Sequence, residues 1–218
     1  MISTGNDIIA LKTINIARTK QKNFYRKIIS TSEKDLYDRQ FSDNLPFDVF
    51  VWLLWSVKES VYKYLQRITP ELVFSPTKII IPQLALPADN FVEQFEGRGF
   101  DENSVYKGIV SFGDHTLYSR SLISEEFIFS VVNHKDDFEH IRWGIQLIDS
   151  SDPDVQSKAV REFLIKALSP LFPGSDLLVN KSPHGYPILL KDGVEIPLPV
   201  SLAHHGHYVA YSIAVLED

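Results

Sequence analysis

Between Pro46 and Pro70 the chain carries its longest periodic segment, roughly residues 47–67, in which Phe50, Leu53, Leu54, Val57, Val61 and Leu65 recur as one face of an α-helix. Proline at either side confines that helix, because Pro is tolerated at a helix start and opposes its continuation. Immediately afterwards the chemistry changes. "TKIIIPQL", "SVYKGIVSF", "TLYSRSL" and "EFIFSVV" are rich in β-branched and aromatic residues and are separated by Gly, Asp and Pro, which predicts strands over about 77–133. The same order returns. After Asp152-Pro153, "DVQSKAVREFLIKALSPLF" has helical period, with Val155, Ala159, Phe163 and Ala167 at near-fourfold steps, and "DLLVN", "YPILL" and "LPVSLA" follow as strand candidates before the terminal "HYVAYSIAV". A helix followed by strands, twice, predicts an α+β chain of two similar α/β halves packed together.

Ahead of the long helix, "MISTGNDIIAL" reads as a short strand with a turn at Gly5-Asn6, and residues 17–27 read as helical. Ser30 and Glu33 have capping-box spacing, so a short helix is expected near residues 33–41. With 44% hydrophobic residues among 218, the chain has material for a core without external staples. It has no cysteine, which removes disulfides and thiolate metal sites and fits a reducing, cytoplasmic setting. No run approaches the ~18 apolar residues of a membrane span. A net charge of −6 argues against a nucleic-acid partner, since phosphate neutralisation requires a basic surface. "ARTKQKNFYRK", residues 17–27, departs from that balance: Arg18, Lys20, Lys22, Arg26 and Lys27 stand with no acid among them, either as a solvated face or as a landing patch for an acidic partner.

Three short elements hold the reactive side chains. In "TGND", Asp7 follows a glycine. In "WSVKESVYK", Trp55, Glu59 and Lys63 fall on one helical stripe with Lys58 beside them; Glu59 and Lys63 are either an ordinary i,i+4 pair or members of a site. In "SLAHHGHY", His204, His205 and His207 cluster after a strand, as a polar loop or, with His184, a zinc site. Two carboxylates, Asp7 and Glu59, suffice for magnesium when phosphates and water complete its octahedron, and Lys63 one turn on can neutralise a phosphate oxygen.

Taken together, Gly5-x-Asp7, then Trp55-x-x-Lys58-Glu59-Ser60-x-x-Lys63, then Ser201-Leu202-Ala203-His204 resemble the three signatures of the 4′-phosphopantetheinyl transferases. The resemblance implies magnesium-dependent transfer of the phosphopantetheine arm of coenzyme A to a serine of an apo acyl or peptidyl carrier protein, with release of 3′,5′-ADP, in fatty acid, polyketide or nonribosomal peptide biosynthesis. It implies Asp7 and Glu59 as metal ligands, Glu59 and Lys63 as catalytic groups, and Lys58, Lys63, Gly185, Ser201 and His204 as contacts of coenzyme A. The order, Gly-x-Asp first and Ser-x-x-His last, is that of the small trimeric holo-acyl-carrier-protein synthases, whereas the length is that of the monomeric two-half surfactin-type enzymes. Hence the expectation is a monomer with a pseudo-twofold fold in permuted order: residues 1–133 as the metal-binding half and 134–218 as the coenzyme A-binding half, with the site between them. By the same resemblance Arg18, Lys20 and Lys22 would dock the carrier. Ile9, Ala203, Tyr186 and Leu54 depart from the family patterns, and a non-catalytic carrier-binding relative is the rival reading, with a histidine-zinc protein a third.

Overall fold

The computed structural model describes residues 3–89 and 94–215. In chain order the elements are β1 (Gly5–Ala10), α1 (Ile16–Thr19), α2 (Lys22–Tyr25), α3 (Thr31–Gln40), α4 (Phe47–Gln66), β2 (Ile80–Ala85), β3 (Glu96–Arg98), β4 (Tyr106–Phe112), β5 (His115–Ile123), β6 (Phe127–Asn133), β7 (Ile141–Leu147), α5 (Pro153–Leu168), β8 (Leu177–Lys181), β9 (Pro187–Lys191), β10 (Val194–Ile196), β11 (Val200–His205) and β12 (Tyr208–Ala214). The mixed α and β content is the one the sequence predicts.

Two antiparallel sheets carry the architecture. The first runs β1-β6-β5-β4-β2 and the second β11-β12-β7-β3, with a small third sheet ordered β10-β9-β8. Helix α4 lies across β1 and β6, and α5 lies across β11 and β12. The long helix buries the stripe read from its sequence: Phe50, Leu53, Leu54, Val57 and Val61 are fully enclosed and join Ile9, Ile128 and Val132 of the first sheet. A second apolar layer, including Ile8, Phe129, Val131, Trp143, Ile145 and Ala210, fills the space between the two larger sheets. Burying such side chains is worth roughly 1.5–3 kcal/mol each, which is why these faces meet.

Several elements depart from the sequence reading. Gly5-Asn6 is no turn; both residues lie inside β1, paired with Val132 and Val131. Residues 17–27 are not one helix but the two single turns α1 and α2, broken at Lys20-Gln21. The buried residues of α5 are Gln156, Val160, Leu164 and Leu168, one position on from the expected stripe, and Val155 is 46% exposed. Strand β3 crosses the expected boundary at 133, pairing Gly97 with Trp143 in the second sheet. The expected capping box is present: Glu33 N–H donates to Ser30 Oγ at 3.2 Å and Ser30 N–H to Glu33 Oε2 at 2.7 Å.

Candidate active site

The close crossing of α4 over β1 sets the geometry of the site. A Cβ at Gly5 would lie 2.0 Å from the carbonyl oxygen of Ser60 and 2.7 Å from the amide nitrogen of Tyr64, both backbone atoms, so only glycine lets strand and helix approach this closely. Two residues on, the strand presents Asp7; on the facing turns the helix presents Glu59 and Lys63. Lys63 Nζ donates to Asp7 Oδ1 at 3.1 Å and to the Asn6 carbonyl at 3.0 Å. Asp7 is 8% exposed, and its other oxygen, Oδ2, is buried with no hydrogen-bond partner among the described residues. Burial pushes the Glu59 carboxyl up to about 7, against the pull of Lys63 and with the charge of Asp7 adding to the rise. The glutamate is thus no simple partner of the lysine; it shares that lysine with Asp7. Trp55, one turn earlier on the same stripe, is partly buried and packs edge-on against Phe74 with ring centres 5.4 Å apart.

An enclosed carboxylate oxygen without a donor, beside a second carboxylate, is the hard-oxygen chemistry that magnesium takes when most of its shell comes from phosphate and water. Asp7 and Glu59 therefore fit such an ion. Zinc is a different matter. Among the described residues no group of three or more His, Asp and Glu is arranged to hold a metal, because successive strand residues face opposite ways. His205 turns back to the first sheet, where its Nδ1 accepts from the Ala10 amide at 2.9 Å. His207 lies against the Ile148 carbonyl at 3.1 Å, and His184 stands 3.9 Å from Glu71. His184, His204, His205 and His207 thus form no shared cluster among the described residues.

The facing wall comes from β11 and its surroundings. Asn6 N–H donates to Ser201 Oγ at 3.1 Å, so β1 and β11 are joined by side-chain contacts rather than by a ladder. His204, alternate to His205, is exposed and lies within electrostatic reach of Lys63 and Asp7. Its pKa is held below the usual histidine range, first by partial burial and then by Lys63, with Asp7 opposing. Next to it opens a cleft of about 160 Å³ lined by residues that include Ser157, Arg161, Lys181, Gly185, Leu202 and His204. Gly185 turns the chain there at φ +91°, with nothing within 4 Å of where a Cβ would stand. Arg161 and Lys181 are cations that the motifs did not reveal; they sit on α5 and β8.

Two of the residues expected to contact the ligand are buried. Lys58 is 0% exposed: its Nζ donates to Glu33 Oε2 at 2.7 Å and to the Ile28 carbonyl at 2.8 Å, and burial lowers its pKa while Glu33 raises it. One residue along a helix is a rotation of about 100°, enough to send Lys58 into the core while Glu59 stays partly exposed beside Asp7 and Lys63. Ser201 is 3% exposed, its hydroxyl occupied by Asn6. In the basic patch, Lys20 stands 3.3 Å from Asp48, Arg18 lies over the Phe24 ring at 5.0 Å, and Lys22 is exposed.

Residues 3–99 match the family model of the 4′-phosphopantetheinyl transferase superfamily. The resemblance carried by the first two motifs therefore holds over that segment, which contains Asp7, Glu59 and Lys63. No curated protein and no solved structure matches the chain.

Proposed function

We propose that this chain, which over residues 3–99 has the features of a superfamily of phosphopantetheinyl transferases, transfers the 4′-phosphopantetheine arm of coenzyme A to a serine of an apo acyl or peptidyl carrier protein. The observation that carries the reading is the convergence of Asp7, Glu59 and Lys63 opposite His204, with the cationic cleft of Arg161 and Lys181 beside it. In the reaction the serine oxygen forms a bond to the phosphorus that bears the pantetheine arm, the bond from that phosphorus to the bridging oxygen breaks, and 3′,5′-ADP leaves. Glu59, on the helix turn facing Asp7, takes the serine proton as general base. Lys63 neutralises charge on the transferred phosphate, and His204, Arg161 and Lys181 hold the nucleotide phosphates. Magnesium, when bound by Asp7 and Glu59, supplies charge neutralisation to the diphosphate. Phosphoryl-type transfer asks a protein for little beyond positioning and such neutralisation.

The same reading takes residues 1–133 as the metal-binding half and 134–218 as the half that holds coenzyme A, related by a pseudo-twofold in permuted motif order. Each larger sheet bearing one long helix supports it. It also takes the protein as a cytoplasmic monomer; no helix of the described residues is long and apolar enough to cross a membrane. The exposed basic stretch with Arg18, Lys20 and Lys22 is the docking face for the acidic carrier. Incubation with coenzyme A, magnesium and a panel of apo carriers, followed by mass measurement of each carrier, tests the proposal. The expected result is gain of the arm by at least one carrier and none with Asp7→Ala. If every carrier stays unmodified while some bind, the non-catalytic reading suggested by Ala203 and Tyr186 takes its place.

A further inference from the structure

One turn beyond Lys63, α4 ends in a set of contacts to the opposite wall of the cleft. Gln66 Nε2 donates to the His184 carbonyl at 3.1 Å. Arg67, the C-cap residue, sends one guanidinium nitrogen to two backbone carbonyls, those of Pro187 and Val200. Its planar head lies over the Tyr186 ring, 5.0 Å from the centroid. Pro187 begins β9 and Val200 begins β11, strands of two sheets that share no ladder with each other. A single side chain therefore ties the helix bearing Glu59 and Lys63 to both strands that flank the Lys181–Gly185–His204 cleft. The tie is partly buried: desolvation draws the Arg67 guanidinium down to about 10, against the pull of Tyr186 and Glu195, and leaves it charged at neutral pH. An arginine suits this task because its fork donates in fixed directions while its face stacks on an aromatic ring.

We propose that Arg67 is a positioning residue: it fixes the separation between the Asp7–Glu59–Lys63 cluster and the Arg161–Lys181–His204 wall, and so sets how well one elongated diphosphate ligand spans the two. The inference rests on the reading of the site as a coenzyme A site. Arg67 touches no ligand in this scheme. Its removal should therefore harm a ligand that reaches both walls and spare one that occupies only the cationic wall.

Coenzyme A and 3′,5′-ADP are the two probes, titrated calorimetrically with magnesium into wild type, Arg67→Ala and Arg67→Lys. In Arg67→Ala the affinity for coenzyme A should fall about tenfold, the scale of one charge-assisted hydrogen bond, while that for 3′,5′-ADP changes less than about twofold. Arg67→Lys keeps a cation near the carbonyls and loses the stacked plane, so its coenzyme A to 3′,5′-ADP ratio should fall by an intermediate factor of about three. A merely structural role would lower melting temperature and leave that ratio alone. Equal losses for both ligands, or an unchanged ratio, overturn the inference; where Arg67→Ala does not fold, the ratio in Arg67→Lys decides by the same criterion. Failure of wild type to bind coenzyme A sinks the functional reading itself, a result distinct from a wild type that binds and a variant that keeps the ratio.

Discussion

Replacing Lys58 by methionine separates a structural lysine from a ligand-binding one. Its ammonium is enclosed with the Glu33 carboxylate, both side chains 0% exposed, at 2.7 Å. Glu33 also accepts from Ser30 N–H at 2.7 Å and, through its other oxygen, from Ile81 N–H at 2.9 Å, so the pair joins α4 to the start of α3 and to β2. Methionine conserves the length of the chain and removes the charge, leaving an unpaired buried carboxylate and the Ile28 carbonyl without its donor. Breaking a buried pair from one side costs about 3–5 kcal/mol; the two backbone donors that stay on Glu33 place this case at the lower end, about 3 kcal/mol. At about 2–4 °C per kcal/mol for a chain of this size, the melting temperature should drop by roughly 6–12 °C. The double variant Lys58→Met, Glu33→Gln should recover part of the loss, a coupling of about 1–3 kcal/mol. Thermal denaturation of the four proteins supplies the cycle, and steady-state kinetics well below the melting temperature supply KM for coenzyme A, expected to be unchanged. A Lys58→Met protein that melts with wild type and shows a raised KM would place this lysine in the cleft and refute the packing argument.

Three further outcomes can be measured directly. Folded Glu59 titrates near 7 rather than 4.5, so the folded state binds the extra proton between those values and metal-free stability falls as pH rises through that window; Glu59→Gln should escape this, matching wild type near pH 4.5 and exceeding it by about 3 kcal/mol at pH 8 at ~1.4 kcal/mol per pH unit, while losing transfer, and denaturant melts in chelator across pH check it. Gly5→Ala forces a Cβ against the backbone of Ser60 and Tyr64; it should destabilise by about 1–3 kcal/mol or more, and a wild-type melting curve would mean that helix and strand do not cross so closely. Lys22→Glu should raise KM for the carrier and not for coenzyme A, with an effect that shrinks as salt shortens a screening length of ~8–10 Å; Lys22 is a cleaner probe than Lys20, which Asp48 already engages.

What could be read from the sequence was what neighbouring residues decide. The Ser30–Glu33 box and the apolar face of α4 are local patterns, and both stand as read. Asp7 and Lys63, 56 positions apart in the sequence, are in direct contact. Errors arose where a residue answers to something distant. Gly5 looked like a turn former because its true constraint, the carbonyl of Ser60, lies 55 positions away. In α5 the buried stripe begins with a glutamine whose amide donates to the Gly206 carbonyl at 2.6 Å, a polar residue no apolar period would select. Strand β7 escaped notice because Gly144 interrupts it; a Cβ there would meet the Tyr211 ring at 2.6 Å. Strand β3, three residues long, is a strand only because β7 pairs with it. Lys58 carried a motif position without carrying its chemistry, and Arg161, Lys181 and Arg67 lie outside every signature.

The place of β12 has a bearing on how the molecule comes into being. It is the last of the described strands, yet it lies inside its sheet, with β11 bonded to one edge and β7 to the other, and all seven of its residues are buried. On a ribosome, β7 and β3 emerge before it with one edge of β7 still unpaired, while β11, which carries His204, has no sheet to join until its neighbour arrives. During synthesis the free edge of β7 and the outer face of β1 therefore stay unsatisfied until β12 emerges, a window in which unpaired strand edges invite association. The carboxylates on β1 and α4 can form early; their opposite wall cannot. The wall that carries His204 is complete only when β12 has taken its place between β11 and β7.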